Sequence, residues 1–277
     1  MHTKYLVIGI NAAGFYALEA LRKHDPQGSI VAINGEMYLP YKRTKINKHF
    51  HPAGLDIEKF QLADPSWYGE NRITLLNNTI VTGIDVSSKT VDMDQGGTIE
   101  WEKLLISTGA EPYCPRSDVF ARAVSIRSFD DSLQVKKLIE SSESCLVYGL
   151  GIEGVETAAQ LNEAGLKVTI AGRGDVLLER YFSTAIANMV EELLRSKGVS
   201  ILYNTPVNSL KPISSQSSEE SSSRVEILSE GDVSSVYDFL LYSTGINPRK
   251  DLAEACGIKT DHGILVNSRM ETSFSDI

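Results

Sequence analysis

Short apolar runs that stop at glycine, each followed by small and apolar residues at helical spacing, recur along this chain. The first is Lys4-Tyr-Leu-Val-Ile-Gly9, with a helix through Phe15-Tyr-Ala-Leu-Glu-Ala-Leu-Arg22 behind it. An unbroken apolar run of this kind suits a strand buried on both faces of a parallel sheet. Residues 29–34 give the next strand. After a basic loop and a polar stretch, residues 73–76, 78–85, 90–93 and 98–101 read as strands. Turn residues separate the last three, which predicts a small antiparallel meander. Residues 104–112 form another buried strand, closed by Gly109 and Pro112.

The second half repeats the program. Residues 113–144 cross over through Val124-Ser-Ile-Arg127 and a helix near 130–140. Cys145-Leu-Val-Tyr-Gly149-Leu-Gly151-Ile152-Glu-Gly154-Val-Glu156 is then a strand, a glycine turn and a helix start. Strand 167–171 ends at Gly172-Arg173-Gly174. An amphipathic helix covers 183–197, with Ile186, Met189, Val190, Leu193 and Leu194 at 3/4 spacing and Gly198 as its stop. Residues 199–203 return to the sheet, and a hairpin pairs 207–210 with 225–228. Its loop, 214–223, is polar, low in complexity and carries no chemistry. The strand Phe239-Leu-Leu-Tyr-Ser-Thr244-Gly245-Ile-Asn-Pro248 echoes Leu104-Leu-Ile-Ser-Thr108-Gly109-Ala-Glu-Pro112.

Gly149, Gly151 and Gly154 fall on the dinucleotide fingerprint G-x-G-x-x-G. The first glycine makes the tight turn, the second admits a pyrophosphate and the third lets helix and strand pack closely. A free helix N-terminus then faces the phosphates. The N-terminal copy reads Gly9-Ile-Asn11-Ala12-Ala13-Gly14, with Asn11 at the second glycine. Asparagine tolerates a left-handed backbone, so the turn is expected to survive. Glu36, just past the next strand, is placed to accept hydrogen bonds from a ribose. The two copies lie about 140 residues apart, an internal duplication of a dinucleotide-binding unit. The fold class expected is α/β, with two Rossmann-like three-layer domains, each carrying a small antiparallel meander. Two dinucleotide sites on one chain suggest one nucleotide reducing another, a nicotinamide stacked against a flavin.

Composition narrows this further. The chain has 277 residues, enough for two domains with cores of their own. A net charge of −9 argues against a nucleic-acid surface. No apolar segment approaches the ~20 residues that span a bilayer, and the N-terminus lacks a signal-peptide pattern. Cys114, Cys145 and Cys256 are far apart, with no C-x-x-C and no metal spacing. They read as reduced thiols in a cytoplasmic protein that holds no metal.

Taken together, these motifs resemble the two-dinucleotide-binding flavoproteins, the pyridine nucleotide-disulfide oxidoreductase fold. Within it, the chain is similar to the ferredoxin/rubredoxin reductase, nitrite-reductase-associated and apoptosis-inducing-factor branch. The narrowing feature is Pro40-Tyr-Lys-Arg43-Thr-Lys-Ile-Asn-Lys48, similar to P-Y-x-R-P-x-L-S-K, with Thr44 for proline and Asn47 for serine. The resemblance implies that Arg43 contacts FAD and that Lys48 sits by the flavin, approached by Glu156 beside the nicotinamide. It also implies that the Val81 backbone meets the adenine, that Arg127 contacts the flavin, and that Thr108 and Gly109 match A-T-G, with Ser107 for alanine. Gly9, Asn11, Ala13, Gly14 and Glu36 would hold FAD; Gly149, Gly151, Ile152, Gly154 and Arg173 would hold NAD(P)H, with Gly245 in the second Ser-Thr-Gly. The FAD domain would be 1–112 plus 245–277, and the NAD(P)H domain 113–244. An ion pair of Lys48 with Glu156 is expected, and a separation well over about 8 Å would count against it.

The resemblance also makes absences informative. Relatives that reduce disulfides carry redox cysteines in the loop that here runs 39–50, and this loop has none. Electrons would therefore leave the flavin for an external acceptor: a small iron–sulfur or rubredoxin-type protein, a nitrite reductase component, a quinone or oxygen. Where an acid usually marks NAD, the chain reads Gly172-Arg173; a cation suits a 2′-phosphate and favours NADPH. Residues 261–277 are similar to the D-x-G-I-x-V…T-S-x-x-x-I segment that leads into Y-A-x-G-D and a C-terminal interface domain. The sequence stops one residue short, so a truncated FAD site, weak flavin retention and absence of the interface domain are expected. The alternative function is a non-catalytic nucleotide-binding module with a degenerate FAD site.

Overall fold

The computed structural model describes residues 1–48, 50, 54–115, 120, 122–213, 224–229 and 232–277. In chain order the elements are β1 (His2–Ile8), α1 (Ala12–His24), β2 (Ile30–Ile33), α2 (Ile57–Phe60), α3 (Pro65–Glu70), β3 (Ile73–Leu76), β4 (Val81–Asp85), β5 (Thr90–Met93), β6 (Thr98–Ile106) and β7 (Ala110–Pro112). They continue with β8 (Ala123–Ser125), α4 (Phe129–Glu140), β9 (Ser144–Tyr148), α5 (Ile152–Glu163), β10 (Lys167–Ala171), α6 (Thr184–Ser196), β11 (Ser200–Leu202), β12 (Leu210–Ile213), β13 (Arg224–Ser229), β14 (Asp232–Tyr237), β15 (Phe239–Tyr242), β16 (Ile246–Pro248) and α7 (Asp251–Ala255). The chain forms two compact units. The first comprises Met1–Lys42, Ile57–Glu111 and Asn247–Ile277; the second comprises Arg43–Asp56 and Pro112–Ile246.

The first unit is built on one sheet of order β3-β2-β1-β6-β5-β4. β1 pairs in parallel with β2 and β6, and β2 with β3. Side chains alternate across this sheet. Leu6, Ile8, Val31 and Ile33 join a core with Val91, Ile99 and Trp101, while Val7, Ile30 and Ala32 join another with Phe15 and Leu18 of α1. Burial on both faces is why β2 is apolar at every position. The meander differs from its expected form: residues 98–106 make one continuous strand. Residues 98–100 of β6 pair antiparallel with β5, while residues 100–106 run parallel to β1. The polar Glu102-Lys103 step looked like a break because both residues are exposed on that strand.

The second unit repeats the arrangement with the all-parallel order β11-β10-β9-β15-β8. Leu146, Tyr148, Leu240 and Tyr242 face a core shared with Leu210, Val225, Ile227 and Tyr237 of the separate antiparallel sheet β12-β13-β14. The expected hairpin is displaced: Val207–Ser209 is a 3-10 turn, β12 starts at Leu210, and a third strand completes the sheet. The low-complexity loop 214–223 lies outside the described residues. α6 also departs from a simple amphipathic reading. It buries Ala187 and Leu194, whereas Ile186, Met189 and Leu193 of the apolar stripe are exposed.

The two glycine turns match bond for bond. Gly9 N–H donates to Ile33 O (2.9 Å) and Ser107 N–H to Ile8 O (2.8 Å); Gly149 N–H donates to Ala171 O (2.9 Å) and Ser243 N–H to Tyr148 O (2.9 Å). Gly9 (φ +83°) and Gly149 (φ +144°) require the conformation that glycine alone adopts freely. A Cβ on Gly14 would lie 2.1 Å from Gly9 O, and one on Gly154 2.2 Å from Gly149 O. Gly151 differs, since its Cβ would meet nothing nearer than Tyr181 Cε2 at 3.9 Å. Asn11 (φ −69°) and Gly151 (φ −85°) are both extended. Tolerance of a left-handed backbone is therefore not why asparagine fits; the position never needs it.

Gly14→Ala and Gly154→Ala are each expected to cost roughly 1–3 kcal/mol by overpacking against backbone. Gly151→Ala should cost under about 1 kcal/mol, the usual scale for a change at a helix N-cap. Urea denaturation of the three variants checks this, and equal midpoints for all three would refute the packing argument.

Candidate functional site

Each glycine turn ends at a helix N-terminus. In the first unit, α1 starts at Ala12 after Asn11, whose carbonyl accepts from Phe15 N–H (2.8 Å). In the second, α5 starts at Ile152 after Gly151, whose carbonyl accepts from Val155 N–H (3.0 Å). Ala13 and Ile152 thus lie in first turns whose N–H groups lack intrahelical acceptors, the donor set for a pyrophosphate. The fit is good at both turns, because the two essential glycines close the backbone while the middle position stays open.

Glu36 sits three residues beyond β2, half-buried, and its Oε2 accepts from Tyr41 Oη at 2.7 Å. Asn34 braces this loop by donating to Tyr38 O (2.7 Å) and Asn77 Oδ1 (2.9 Å). Val81 is buried at the start of β4. Thr108 Oγ1 donates to Arg249 O (2.9 Å), and Arg249 N–H donates to Gly109 O (2.9 Å). The second copy mirrors this: Thr244 Oγ1 donates to Tyr113 O, and Tyr113 N–H to Gly245 O (2.9 Å). The Ser-Thr-Gly echo is therefore a clasp: each copy exchanges two hydrogen bonds with one residue of its own unit, Arg249 in the first and Tyr113 in the second.

Within the second unit, a cleft of about 540 Å³ opens at the start of α5, lined among others by Arg43, Lys48, Arg127, Ile152, Glu153 and Glu156. Gly151, Tyr181 and Gly245 also line it. The family resemblance groups Arg43 and Lys48 with residues 1–112, but the segment Arg43–Asp56 packs with this unit, and so does Gly245. The physical reason is visible at Ile46, which is buried and whose carbonyl accepts from the fully buried Ser132 Oγ at 2.6 Å. Arg43 Nη1 adds a bond to Arg127 O. A capping box fixes α4 beside it: Ser128 Oγ accepts from Asp131 N–H, and Asp131 Oδ2 accepts from the N–H groups of Ser128 (2.7 Å) and Arg127 (2.8 Å).

Lys48 Nζ lies 3.1 Å from Glu156 Oε2 and donates to Thr44 O, also at 3.1 Å. Asn47, buried, donates Nδ2 to the same Glu156 oxygen at 3.4 Å. Glu153 stands one turn before Glu156 on α5. Its side chain is exposed, yet partial desolvation at the cleft wall pushes its carboxyl up from the usual range, the Arg127 charge acting against that and the Glu156 charge with it. Asn47, Glu153 and Tyr181 were not singled out from sequence. Asn47 was visible only as a serine replacement, and Glu153 only as an unremarked fingerprint position.

Arg173 is exposed two residues beyond β10 and does not line the cleft. Burial raises the thiols of Cys114, Cys145 and Cys256, the opposite of what a redox-active thiolate needs. Among the described residues no group of His, Cys, Asp or Glu side chains assembles as a metal site, and no helix is long and apolar enough to cross a membrane.

Known proteins match this chain along its whole length. It is 29% identical over 280 residues to the NADH-dependent phenylglyoxylate dehydrogenase subunit epsilon of Aromatoleum evansii, covering 100% of this chain and 64% of that protein. It is also 29% identical over 274 residues to the benzene 1,2-dioxygenase system ferredoxin–NAD(+) reductase subunit of Pseudomonas putida, covering 98% and 64%. The chain thus spans about 64% of the length of these relatives. Its fold matches a chain in the crystal structure of the covalent putidaredoxin reductase–putidaredoxin complex, with a TM-score of 0.87 at 24% identity, covering 98% of this chain and 65% of that one. The family model for pyridine nucleotide-disulphide oxidoreductases matches residues 3–277, and the duplicated glycine turns and strand clasps are laid out along that same span: the chain belongs to the pyridine nucleotide-disulphide oxidoreductase family.

Proposed function

We propose that this chain is the nucleotide-binding core of an FAD-dependent NAD(P)H oxidoreductase that passes electrons to an external acceptor such as a ferredoxin, a rubredoxin or a nitrite reductase component. The observation that carries this reading is the Lys48–Glu156 pair, 3.1 Å apart, in a cleft at the start of the helix that follows the second glycine turn. The names of the relatives support it, since one is an NADH-dependent subunit and another a ferredoxin–NAD(+) reductase subunit. In the proposed assignment, residues 1–112 and 245–277 supply the FAD domain and 113–244 the NAD(P)H domain, except that Arg43–Asp56 and Gly245 pack with the latter; Arg43, Lys48 and Arg127 are the side chains assigned to the flavin. Three free thiols fit a cytoplasmic location.

FAD, when bound, supplies a ring that accepts hydride; the side chains orient and stabilise. Lys48 is held by two acceptors, Thr44 O and Glu156 Oε2. A lysine ammonium has three donors, so one is left to face charge that develops on a reacting ring. Glu156 Oε1 accepts nothing among the described residues, because Asn47 and Lys48 both go to Oε2. That oxygen is available to the amide of a nicotinamide.

Lys48→Met is expected to leave stability within about 1 kcal/mol, because the ion pair is partly solvated. It should slow anaerobic flavin reduction by NADH by roughly 10²-fold, the scale for losing one preorganised donor. Stopped-flow reduction of the FAD-loaded chain measures this, and an unchanged rate would remove Lys48 from the chemistry.

A finer reading concerns the nucleotide. Arg173 stands exposed just past β10, where a guanidinium suits a 2′-phosphate, and on this ground we assign a preference for NADPH. Arg173→Ala should then lower kcat/KM for NADPH about tenfold and leave NADH unaffected, on the scale of one charge-assisted hydrogen bond. Equal values for both nucleotides in the unmodified chain would contradict the preference.

A further inference from the structure

Lys48, Arg43 and Arg127 bring three positive charges to the cleft, and Glu153 and Glu156 bring two negative ones. Most of these are tied down. Glu156 is paired with Lys48 and takes a bond from Asn47. Arg43 donates to the Arg127 carbonyl. Glu153 is different, for its carboxyl accepts no hydrogen bond and makes no salt bridge among the described residues. It still lines the cleft, and it lies at i, i+3 to Glu156 on one face of α5, where Cβ atoms stand about 5–6 Å apart. A carboxyl that turns toward a ligand-sized cleft without a protein partner is placed to answer to the ligand. This inference rests on the proposed binding of a nicotinamide in that cleft.

We propose that Glu153 discriminates the oxidised from the reduced nicotinamide ring, its carboxylate favouring the pyridinium cation. The oxidised ring carries a positive charge that the reduced ring lacks; the rest of the two nucleotides is the same. A negative charge beside the ring therefore stabilises one form and is indifferent to the other. Glu156 cannot play this part alone, because Lys48 offsets its charge at 3.1 Å. The charged and titratable groups that line the cleft with Glu153 are Arg127 ahead of α4, Arg43 and Lys48 from the loop, Glu156 on α5 and Tyr181 beyond β10. Its side chain is exposed at the mouth of the cleft, and partial desolvation there raises its carboxyl, with Arg127 opposing and Glu156 assisting. Glu153 is a specificity residue in this account, distinct from the Lys48–Glu156 pair.

The test is calorimetric binding of NAD⁺, NADH and ADP-ribose to the full chain and to Glu153→Gln and Glu153→Asp at about pH 9, well above the carboxylate range. Removing the charge in Glu153→Gln should lower the preference for NAD⁺ over NADH about tenfold, equivalent to one pKa unit of coupling. Glu153→Asp should keep the preference of the unmodified chain. ADP-ribose, which lacks the ring, reports that each variant is folded, and any change it shows is common to both nucleotides and cancels in their ratio. A Glu153→Gln preference equal to that of the unmodified chain overturns the proposal and leaves the oxidoreductase reading standing. Failure of ADP-ribose to bind the unmodified chain would instead overturn the dinucleotide reading, and this inference with it.

Discussion

The structure depends on one close approach, made twice. At each glycine turn a helix begins so near the end of a parallel strand that the third glycine has no space for a Cβ beside the carbonyl of the first. The strand that returns, at Ser107 in one unit and Ser243 in the other, seals the turn from behind with a hydrogen bond to the residue before the first glycine. A side chain at either closing position would push helix from sheet. The unsatisfied N–H groups of the helix would then lose their fixed aim, and an anion would meet a poorly organised set of donors. Binding capacity and packing are thus the same constraint seen from two sides.

The cleft in the second unit adds charge to that frame. Two of its cations, Arg43 and Lys48, come not from the glycine turn but from Arg43–Asp56, far away in sequence and folded into this unit through Ile46 and Ser132. A buried hydroxyl-to-carbonyl bond is a firm anchor, since breaking it leaves a buried acceptor unmet. With the loop held there, Lys48 and Asn47 reach a single oxygen of Glu156, and the other oxygen stays available. The Ser128–Asp131 capping box secures Arg127 through its backbone N–H. The cleft is therefore organised by main-chain and buried polar contacts, while its charged ends remain responsive to whatever enters.

Much of this was legible because glycine at Gly9, Gly14, Gly149 and Gly154 marks where a side chain is forbidden, and a forbidden side chain is a local fact. The Ser-Thr-Gly echo was equally local, and its meaning as a clasp emerges once Thr108 and Arg249 are seen together. Other features depend on distant pairing. Nothing in Glu102-Lys103 reveals that β6 runs on without a break, because the strand is specified by β1 and β5 on its two sides. The affiliation of residues 43–56 turns on a bond between positions 86 apart. Asn11 is accommodated for a reason other than left-handed tolerance, since its backbone is extended. Glu153 gave no signal at all: a glutamate in a first helical turn is ordinary, and only the cleft around it makes it otherwise.

If the duplication is functional as well as structural, the number of dinucleotide sites decides the matter. Equilibrium titration of the chain with FAD and with ADP-ribose, singly and in the presence of each other, counts them directly. The account predicts one site for each ligand, with neither displacing the other at saturation. Mutual displacement from a single shared site would contradict it.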